Sequence, residues 1–516
     1  MTRYDHIVVG GGHNGLVCAA YLARSGRRTL VVEAADHVGG AAMTREFAPG
    51  FRVSAGAHVL DCLPLDLMGE LELERNGLQF VARGLATVAL GQGRSSIVLA
   101  DGGIEGVQAG DAAAYGRFSR QMRRFAGVLD RVDRMAPFRL SLGGWQERLD
   151  AARLAWAIRG LGRHDMREFL RVVGMNAYDL LTDQFDSDLL KGALGLDATL
   201  GAEHGARAPG TVLTLLQRYA GRLRAGGGAM QPAGGMGAVT GAIAQAAVRA
   251  GAVIRTGARV RRIVVESNRA CAVLLESGEQ IHAGSIISNA DPKTTFLKLL
   301  DPDQLETDFV RRIDRFRSKG LVAKMHLALD DLPTFTALQR TRLGARMLLC
   351  PSLDALELAF NPSKYREVPE RPALEVCIPT INDPGLAPAG RHVMSINLMA
   401  VPYDLGADPA AARRRLAQAV LSTLERYAPG LSERVVASEL LTPADLEREF
   451  GMNGGHWHHG ALAFDQFFFA RPVPGAAGYA TPVPGLYLCG AGSHPGGGVM
   501  GIAGRNAAFK VLKEGH

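Results

Sequence analysis

A glycine-rich turn between two apolar segments constrains the fold of this chain more than any other feature. Residues 5–10 (DHIVVG) predict a buried strand, residues 15–25 (GLVCAAYLARS) predict a helix, and residues 29–33 (TLVVE) predict a second, parallel strand. The glycines of the turn follow the G-x-G-x-x-G pattern, and an acidic residue ends the second strand. Because these features occur in the order that the pattern requires, the segment predicts a dinucleotide site in a Rossmann-type domain.

Each residue of this motif has a physical role at such a site. Gly10 permits the tight turn, Gly12 lets the backbone approach a pyrophosphate, and Gly15 lets the helix pack closely on the strand. The N-terminus of the helix offers free N–H groups to the phosphates. Glu33 can accept hydrogen bonds from ribose hydroxyls and disfavours a 2′-phosphate. None of these roles distinguishes NAD from FAD.

A second glycine-rich loop, far along the sequence, favours FAD. In residues 485–506 (GLYLCGAGSHPGGGVMGIAGRN), a short buried strand at 486–489 leads into a loop with little side-chain bulk, and a helix follows from about Val499. Two such distant loops suit a ligand with two distant ends. FAD fits, because its flavin would meet the last helix, whose dipole stabilises negative charge on the reduced ring. The doublet Gly39-Gly40 also suits close passage along a long ligand.

Length and composition are those of a folded protein with two or three domains. The chain has 516 residues, of which 47% are apolar and 21% are charged. Its six cysteines are scattered without CxxC spacing, so we expect neither a disulfide framework nor a dithiol redox site. No apolar run reaches the roughly 18 residues that a membrane span needs. The first predicted strand begins almost at Met1, so we expect a cytoplasmic protein without a targeting peptide.

The excess positive charge is concentrated in one helical segment. Residues 112–171 hold thirteen arginines and six acidic residues, which gives a net charge of +7, equal to that of the whole chain. Local basicity of this kind argues against nucleic acid as the partner. Trp145 and Trp156, two of the three tryptophans, lie in the same segment. We expect one of three arrangements: a helical cap with its tryptophans in the core, a contact between copies of the chain in a homo-oligomer, or a helix lying on an anionic surface at the inner face of the membrane.

Five stretches, in this order along almost the whole chain, resemble a known family: VVGGGHNGLVCAAYL, GGAAMTREFAPGFRVS, QPAGGMGAVTGAI, SIISNADP, and the segment from GMNGGHWHHGALAFDQFFFARPVP to GAGSHPGGGVMGIAGRNAA. They are similar to the phytoene desaturase-like branch of the flavin amine oxidase superfamily, which includes carotenoid desaturase, β-carotene ketolase and pyridine nucleotide-disulfide oxidoreductase domain-containing types. The resemblance implies FAD as cofactor and long apolar polyenes as substrates. Because no Cys or His stands in a covalent-flavin motif, we expect the FAD to be bound non-covalently. An arginine that many members place after the glycine doublet is Ala41 or Ala42 here.

Carried over residue by residue, the family's motifs imply these FAD-binding positions: Gly10, Gly12, Asn14, Gly15, Glu33, Ala34, Gly40, Ala41, Ala42, Val260, Asn289, Gly490, Ala491, Gly492, Val499 and Met500. The catalytic candidates are His58 in SAGAHVL and His459 in HWHH, and each of them, like His494, could instead be structural. Asp465 and Arg471 could form an ion pair that shapes the cavity. The histidines of HWHH lack helical i, i+4 spacing and have no cysteine nearby, so we expect no metal site.

The predicted fold is α/β, with α+β character overall. It comprises a Rossmann-type FAD-binding domain of the glutathione reductase and amine oxidase kind and an interleaved substrate domain with a β-sheet and a helical segment. The FAD-binding domain would be discontinuous, formed by 1–75, 225–295 and 450–516. The substrate domain would comprise 76–224 and 296–449, with 111–181 as a basic helical subregion.

Local patterns predict several elements of the substrate domain. Its sheet would be built from β-rich stretches at 321–329, 373–381 and 392–401. A helix is predicted from Pro409 to about Tyr427, with Asp408 as its N-cap. Asp165 and Glu168 match a capping box for another helix.

The residues and the resemblance together predict an FAD-dependent oxidoreductase of the phytoene dehydrogenase-like kind. It would remove a hydride from an apolar substrate, by desaturation or by ketolase-type oxidation, with FAD carrying the electrons. Two alternatives are open: a redox-neutral, flavin-dependent isomerase, and a flavin-holding interaction protein at a membrane or complex with little turnover. Oxygen, a quinone and free NAD(P)+ are all open as the electron acceptor.

Overall fold

The computed structural model describes residues 4–100, 103–138 and 144–515. Its strands are, in chain order, β1 (Tyr4–Val9), β2 (Thr29–Val32), β3 (Thr44–Ala48), β4 (Phe51–Ser54), β5 (Phe80–Leu85), β6 (Thr87–Leu90), β7 (Ser96–Ala100), β8 (Gly103–Glu105), β9 (Ala229–Pro232), β10 (Val253–Arg255), β11 (Val260–Glu266), β12 (Arg269–Leu275), β13 (Gln280–Ser288), β14 (Val322–Leu329), β15 (Arg346–Leu349), β16 (Leu374–Cys377), β17 (His392–Met399), β18 (Val435–Leu441) and β19 (Leu486–Leu488).

The α-helices are, in chain order, α1 (His13–Arg24), α2 (Leu65–Glu70), α3 (Ala109–Asp133), α4 (Trp145–Arg159), α5 (Arg163–Val172), α6 (Ala177–Gln184), α7 (Asp188–Thr199), α8 (Thr211–Arg224), α9 (Met236–Arg249), α10 (Thr307–Arg315), α11 (Leu353–Phe360), α12 (Pro409–Tyr427), α13 (Pro443–Phe450) and α14 (Ile502–Glu514). The elements β1, α1 and β2 lie within two residues of the bounds predicted around the first glycine loop. None of the helices in the described ranges is long and apolar enough to cross a membrane.

A seven-stranded sheet carries the first glycine loop. Its order is β10-β2-β1-β13-β12-β11, and β19 pairs with β13. The neighbours β10, β2, β1, β13 and β19 are parallel, so their carboxyl ends meet at one edge, where ligands bind in open α/β sheets. Successive residues of these strands enter cores on opposite faces: Val8 and Val31 on one side, Ile7 and Leu30 on the other. Burial on both faces explains why the strands are continuously apolar.

The second large sheet has eight strands, in the order β18-β14-β17-β16-β15-β6-β7-β8. Its neighbours are antiparallel except for β15 and β6, which are parallel. The three predicted β-rich stretches contain β14, β16 and β17, although β16 ends at Cys377 and a 3₁₀ turn follows it. Met325 and Leu327 of β14 enter the apolar core on one face, while Lys324 and His326 are buried on the other.

The two sheets take their strands from different parts of the sequence. Every strand of the seven-stranded sheet falls within 1–75, 225–295 or 450–516, and every strand of the eight-stranded sheet falls within 76–224 or 296–449. The predicted α/β fold with a Rossmann-type domain is confirmed. Helix α12 has the predicted bounds, because the Asp408 side chain accepts a hydrogen bond from the Ala411 N–H and caps it.

The basic segment, residues 112–171, folds into helices α3, α4 and α5, apart from residues 139–143, which lie outside the described ranges. The predicted capping box is wrong, because α5 begins at Arg163 and Asp165 therefore lies inside its first turn. Asp165 pairs with Arg124, and Glu168 pairs with Arg171 on the same helix. Charge pairing, rather than capping, accounts for these two acidic residues.

Helix α4 presents an apolar stripe to solvent. Trp145 and Trp156 are 70% and 73% exposed, and Leu149 between them is 40% exposed. The expectation that these tryptophans belong to a core is wrong. The opposite side of the helix, with Leu154 and Ile158, packs against the core beneath it instead.

Candidate active site

The first glycine loop, which follows β1, forms one side of the candidate site. Gly10 has a φ of +99°, a conformation that favours glycine. A Cβ on Gly12 would lie 2.8 Å from Asn289 Nδ2, and a Cβ on Gly15 would overlap the carbonyl oxygen of Gly10. The loop can therefore pass between α1 and the end of β13 only because these residues lack side chains.

Glu33 fixes the end of β2 beside this loop. Its Oε2 accepts a hydrogen bond from the Gly11 N–H at 2.6 Å, and its Oε1 accepts one from the Ala35 N–H at 2.9 Å. A carboxylate has about four acceptor positions, so two of them stay available. Because Glu33 also lines the cavity described next, these positions can accept hydroxyl groups of a ligand.

A cavity of about 690 Å³ extends from the first glycine loop to the eight-stranded sheet. Its size is that of a cofactor or substrate site. Both catalytic candidates, His58 and His459, line it. So do thirteen of the sixteen positions expected to bind FAD: Gly10, Gly12, Asn14, Glu33, Ala34, Gly40, Ala41, Ala42, Val260, Asn289, Ala491, Val499 and Met500.

The other three expected positions, Gly15, Gly490 and Gly492, do not line the cavity. A Cβ on Gly490 would lie 2.5 Å from the carbonyl oxygen of Asn289, and a Cβ on Gly492 would overlap the ring of Pro292. These glycines therefore let the second glycine loop pack against the segment after β13. The helix expected from about Val499 begins at Ile502, so Val499 and Met500 contribute to the cavity as loop residues.

Unpaired polar atoms along the cavity fit a polar cofactor. His13 Nε2, Asn14 Oδ1, His458 Nδ1 and His459 Nδ1 are buried without a hydrogen-bond partner among the described residues, and all four residues line the cavity. Leaving such an atom unsatisfied costs roughly 1–3 kcal/mol. Burial, reinforced by His459, lowers the pKa of His13 to about 4, so this imidazole stays neutral. The glycine cradle and these free donors and acceptors fit FAD.

Four side chains form a closed hydrogen-bonded ring on the cavity wall, here called the polar ring. Lys324 Nζ lies 2.8 Å from His58 Nδ1 and donates to Asn397 Oδ1 at 3.0 Å. Asn397 Nδ2 donates to Glu375 Oε2 at 2.5 Å, and His58 Nε2 lies 3.4 Å from the same oxygen. All four residues line the cavity.

The polar ring follows from the register of the eight-stranded sheet. Lys324 on β14 is paired with Asn397 on β17, which is paired with Glu375 on β16. Sequence analysis identified His58 but missed these three residues. The signal was present, because a lysine, an amide and a carboxylate stand inside stretches that were predicted as buried strands.

Burial controls the protonation of the ring. It lowers the pKa of Lys324 to about 7, against the attraction of Glu375. Burial also lowers the pKa of His58 to about 4, and the neighbouring Lys324 acts in the same direction. Burial alone would raise the pKa of Glu375, but Arg346, which donates to it from β15, and His58 hold that pKa well below its usual range. The resting ring therefore contains a carboxylate, a neutral imidazole and a lysine near its titration midpoint at neutral pH.

Arg471 links two loops that line the cavity. Its fully buried guanidinium donates to the carbonyl oxygens of His458 (2.7 Å), Ala461 (2.9 Å), Ala491 (2.9 Å) and Ser493 (3.2 Å). Burial lowers its pKa to about 9, so it stays protonated at neutral pH. The charge is satisfied by backbone dipoles and holds the loop around His458 against the second glycine loop.

The expected ion pair between Asp465 and Arg471 is wrong, since Asp465 pairs with Arg317 at 2.7 Å. His494 does not line the cavity, and its Nε2 is hydrogen-bonded to the carbonyl oxygen of Val132 at 2.9 Å, which is a structural role. Within the described ranges, no three His, Cys, Asp or Glu side chains are grouped so that they could hold a metal ion.

A family model described as flavin containing amine oxidoreductase matches residues 15–512. The chain belongs to this family. Among its relatives, pyridine nucleotide-disulfide oxidoreductase domain-containing protein 2 from Rattus norvegicus is 36% identical, over 99% of this chain and 94% of the relative. One of the subunits of limonene dehydrogenase from Castellaniella defragrans is 26% identical, over 100% and 95% of the two chains. Phytoene desaturase (lycopene-forming) from Pseudescherichia vulneris is 27% identical, over 54% and 55%.

A solved structure of putrescine oxidase with bound putrescine has the same fold, with a TM-score of 0.62 and 17% identity over 99% of both chains. The resemblance to the phytoene desaturase-like branch of the superfamily is confirmed by these relatives. FAD is the cofactor of this oxidoreductase, as the glycine loops predicted.

Proposed function

We propose that this oxidoreductase removes a hydride from a C–H bond of a mainly apolar, unsaturated substrate, and that Lys324 accepts the proton lost in the same oxidation. The observation that carries the proposal is the polar ring, which lines the same cavity as both glycine loops. FAD bound in this cavity supplies the hydride acceptor. The protein holds the substrate in place, excludes water from the cavity and provides the proton acceptor.

The lining of the cavity near the second sheet supports a mainly apolar substrate. It includes the apolar side chains Leu200, Val322, Ala323, Met452 and Leu462. Two relatives are named for limonene, phytoene and lycopene, which are unsaturated hydrocarbons.

A protonated amine is a poor candidate for this cavity. It would need a free carboxylate, and the carboxylates of Glu375, in the polar ring, and of Asp61, beside Arg218, are already engaged. Glu375 accepts from Arg346 and Asn397, and Asp61 accepts from Arg218. Placing another cation beside Lys324 and these arginines would add like-charge repulsion in a buried site.

The geometry of the ring makes the neutral Lys324 amine a directed base. Its two N–H groups are used by His58 Nδ1 and Asn397 Oδ1, so the remaining valence of Nζ is a lone pair. With Nδ1 accepting, the hydrogen of His58 is assigned to Nε2, which lies towards Glu375. Protonation of Nζ creates an ammonium that the Glu375 carboxylate stabilises through His58 and Asn397. A proton acceptor with a pKa near the working pH is well matched to general base catalysis.

Product analysis under anaerobic conditions tests the proposal. Lipid-extractable compounds that copurify with the protein are identified by mass spectrometry and mixed anaerobically with the oxidised, FAD-loaded enzyme. We expect the flavin absorbance to bleach and the product to contain two hydrogens fewer than the substrate. Lys324→Gln should keep FAD and slow the bleaching by roughly 10²–10⁴-fold.

The two alternatives give different outcomes in the same experiment. A double-bond shift that requires photoreduced enzyme and leaves the redox state unchanged supports the isomerase. No change with either oxidised or reduced enzyme supports the interaction protein. Either result overturns the proposed dehydrogenation.

A further inference from the structure

Helix α8 presents polar side chains to the cavity. A pure hydrocarbon substrate would make no hydrogen bonds with them. The residues of α8 that line the cavity are Thr214, Gln217, Arg218, Gly221 and Arg224. They are three or four positions apart and so share one face of the helix. Asp61 and the polar ring line the same cavity, and Asp61 contacts this face through Arg218.

Arg218 has the more accessible unused hydrogen-bonding capacity on this face, since Arg224, whose Nε is unpaired among the described residues, has a side chain that is only 1% exposed. In the part of the chain that the structure describes, the side-chain hydrogen bond of Arg218 is from Nη1 to Asp61 Oδ2, at 3.3 Å. The side chains of Arg218 and Asp61 are each 18% exposed, and both residues line the cavity. A guanidinium has five N–H groups, so most of those of Arg218 are available to a ligand.

The neighbouring arginines are more tightly engaged. Arg224 donates to Asp133 at 2.6 Å, and Arg222 donates to Asp197 at 2.9 Å. Arg346 bridges Asp197 and Glu375 and is fully buried. Each of these three arginines has a shorter contact to a carboxylate than Arg218 has.

The carboxylates beside Lys324 and Arg218 are already paired with arginines: Glu375 with Arg346, and Asp61 with Arg218. Protonation of Lys324 adds one positive charge to this part of the cavity. A ligand with one negative charge would compensate for it, whereas a phosphate with two would meet Asp61 and Glu375 with a surplus of negative charge.

We propose that Arg218 binds a carboxylate at one end of the substrate, which makes the substrate an unsaturated apolar acid. The planar guanidinium can hold a carboxylate through two parallel hydrogen bonds, a geometry that a lysine cannot provide. The inference rests on the proposed dehydrogenation, whose substrate it specifies. Arg218 is then a specificity-determining residue, and the apolar part of the acid extends along the cavity.

A matched series of probes tests this inference: farnesoic acid, farnesol and farnesene, which share a branched, unsaturated chain and differ at one end. Their dissociation constants are measured on the FAD-loaded protein from the change in flavin absorbance. We expect the acid to bind roughly 10- to 100-fold more tightly than the alcohol, as a charge-assisted hydrogen bond implies. Arg218→Met should abolish that preference, and Arg218→Lys should retain part of it. Arg415→Met, at an exposed position of α12, is the control and should leave all three constants unchanged.

Asp61→Asn gives an independent result if Arg218→Met does not fold. Removal of its negative charge should tighten binding of farnesoic acid and leave farnesol unaffected. The inference is overturned if the acid binds no more tightly than the alcohol, or if Arg218→Met and Asp61→Asn both leave the preference unchanged. Anaerobic flavin bleaching by farnesol or farnesene would in that case leave the proposed function standing. The proposed function fails separately if Lys324→Gln bleaches as fast as wild type with the compound that copurifies.

Discussion

Lys324 couples the chemistry of the site to pH. Its pKa of about 7 means that the neutral amine, the form that can accept a proton, accumulates as pH rises through neutrality. We therefore expect the rate of flavin reduction to rise from pH 6 and to level off above about pH 7 to 8. Stopped-flow absorbance should show this rise for wild type and a flat, slow profile for Lys324→Gln. An identical profile for both proteins would contradict the assignment of Lys324 as the base.

The same residue makes a prediction about stability. An unfolded lysine has a pKa near 10.5, so between pH 7 and 10.5 the unfolded chain binds a proton that the folded chain does not. The free energy of unfolding should therefore rise with pH over this window in wild type, relative to Lys324→Gln. Urea unfolding at pH 7 and pH 10 measures it, and a constant difference between the two proteins would show that the buried amine keeps its ordinary pKa.

Glu33 gives a third prediction at the residue level. Its carboxylate already orders the Gly11 and Ala35 N–H groups and has acceptor positions left for a ribose. Glu33→Gln removes charge-assisted bonds worth roughly 1.5–3 kcal/mol, so FAD affinity should fall about ten- to a hundredfold. Calorimetric titration of the apoprotein with FAD checks this, with the exposed Glu72→Gln as control. Unchanged affinity would remove Glu33 from the site.

Helix α4 carries the clearest prediction for a single element. Its exposed stripe of Trp145, Leu149, Ala152 and Trp156 repeats at helical spacing over about 16 Å and is flanked by arginines. We propose that this side of the helix lies on an anionic membrane surface. Wild type should cosediment with vesicles that contain phosphatidylserine, and binding should weaken as salt is raised.

Variants of the stripe separate this contact from a general effect. Trp145→Ser combined with Trp156→Ser should lose most of the vesicle binding with little change in stability, since both side chains are exposed. Replacing Arg148, Arg153 and Arg159 by Glu should act similarly. Leu358→Ser, at an exposed apolar position of α11, is the matched control. Equal binding to neutral and anionic vesicles, or to neither, would exclude the membrane contact.

Sequence patterns correctly predicted the elements that depend on residues close together in the chain. The strand, helix and strand around Gly10 follow from periodicity and glycine placement, and α12 follows from the cap at Asp408. The polar ring could not be predicted in this way. Lys324 and Asn397 are 73 residues apart and Lys324 and His58 are 266 apart, so only the sheet register brings them together. The sequence also placed Trp145 and Trp156 in the basic segment without indicating that both side chains face outwards.

The cofactor should stabilise the molecule as a whole, because its cavity is walled by both sheets. Ligand that binds only the folded state adds about 2.7 kcal/mol at a hundredfold excess over its Kd. We expect the melting temperature to rise with added FAD, and acid precipitation to release all of the flavin if it is non-covalent. Gly12→Val should be colourless and should show no FAD-dependent shift, because the new side chain would collide with Asn289. A shift as large as that of wild type would contradict the role of the glycine loop.

The pairing of β19 with β13 affects when the cofactor site can form during synthesis. The strand that completes the cofactor edge, and helix α14 behind it, are synthesised after nearly all of the chain that they complete. At 5–20 residues per second, the first glycine loop precedes the second by roughly 25–100 s on the ribosome. During that interval FAD has only one half of its site, because the second glycine loop, which lines the same cavity, has not yet been made. FAD can therefore occupy its complete site only after β19 and the second glycine loop have been synthesised.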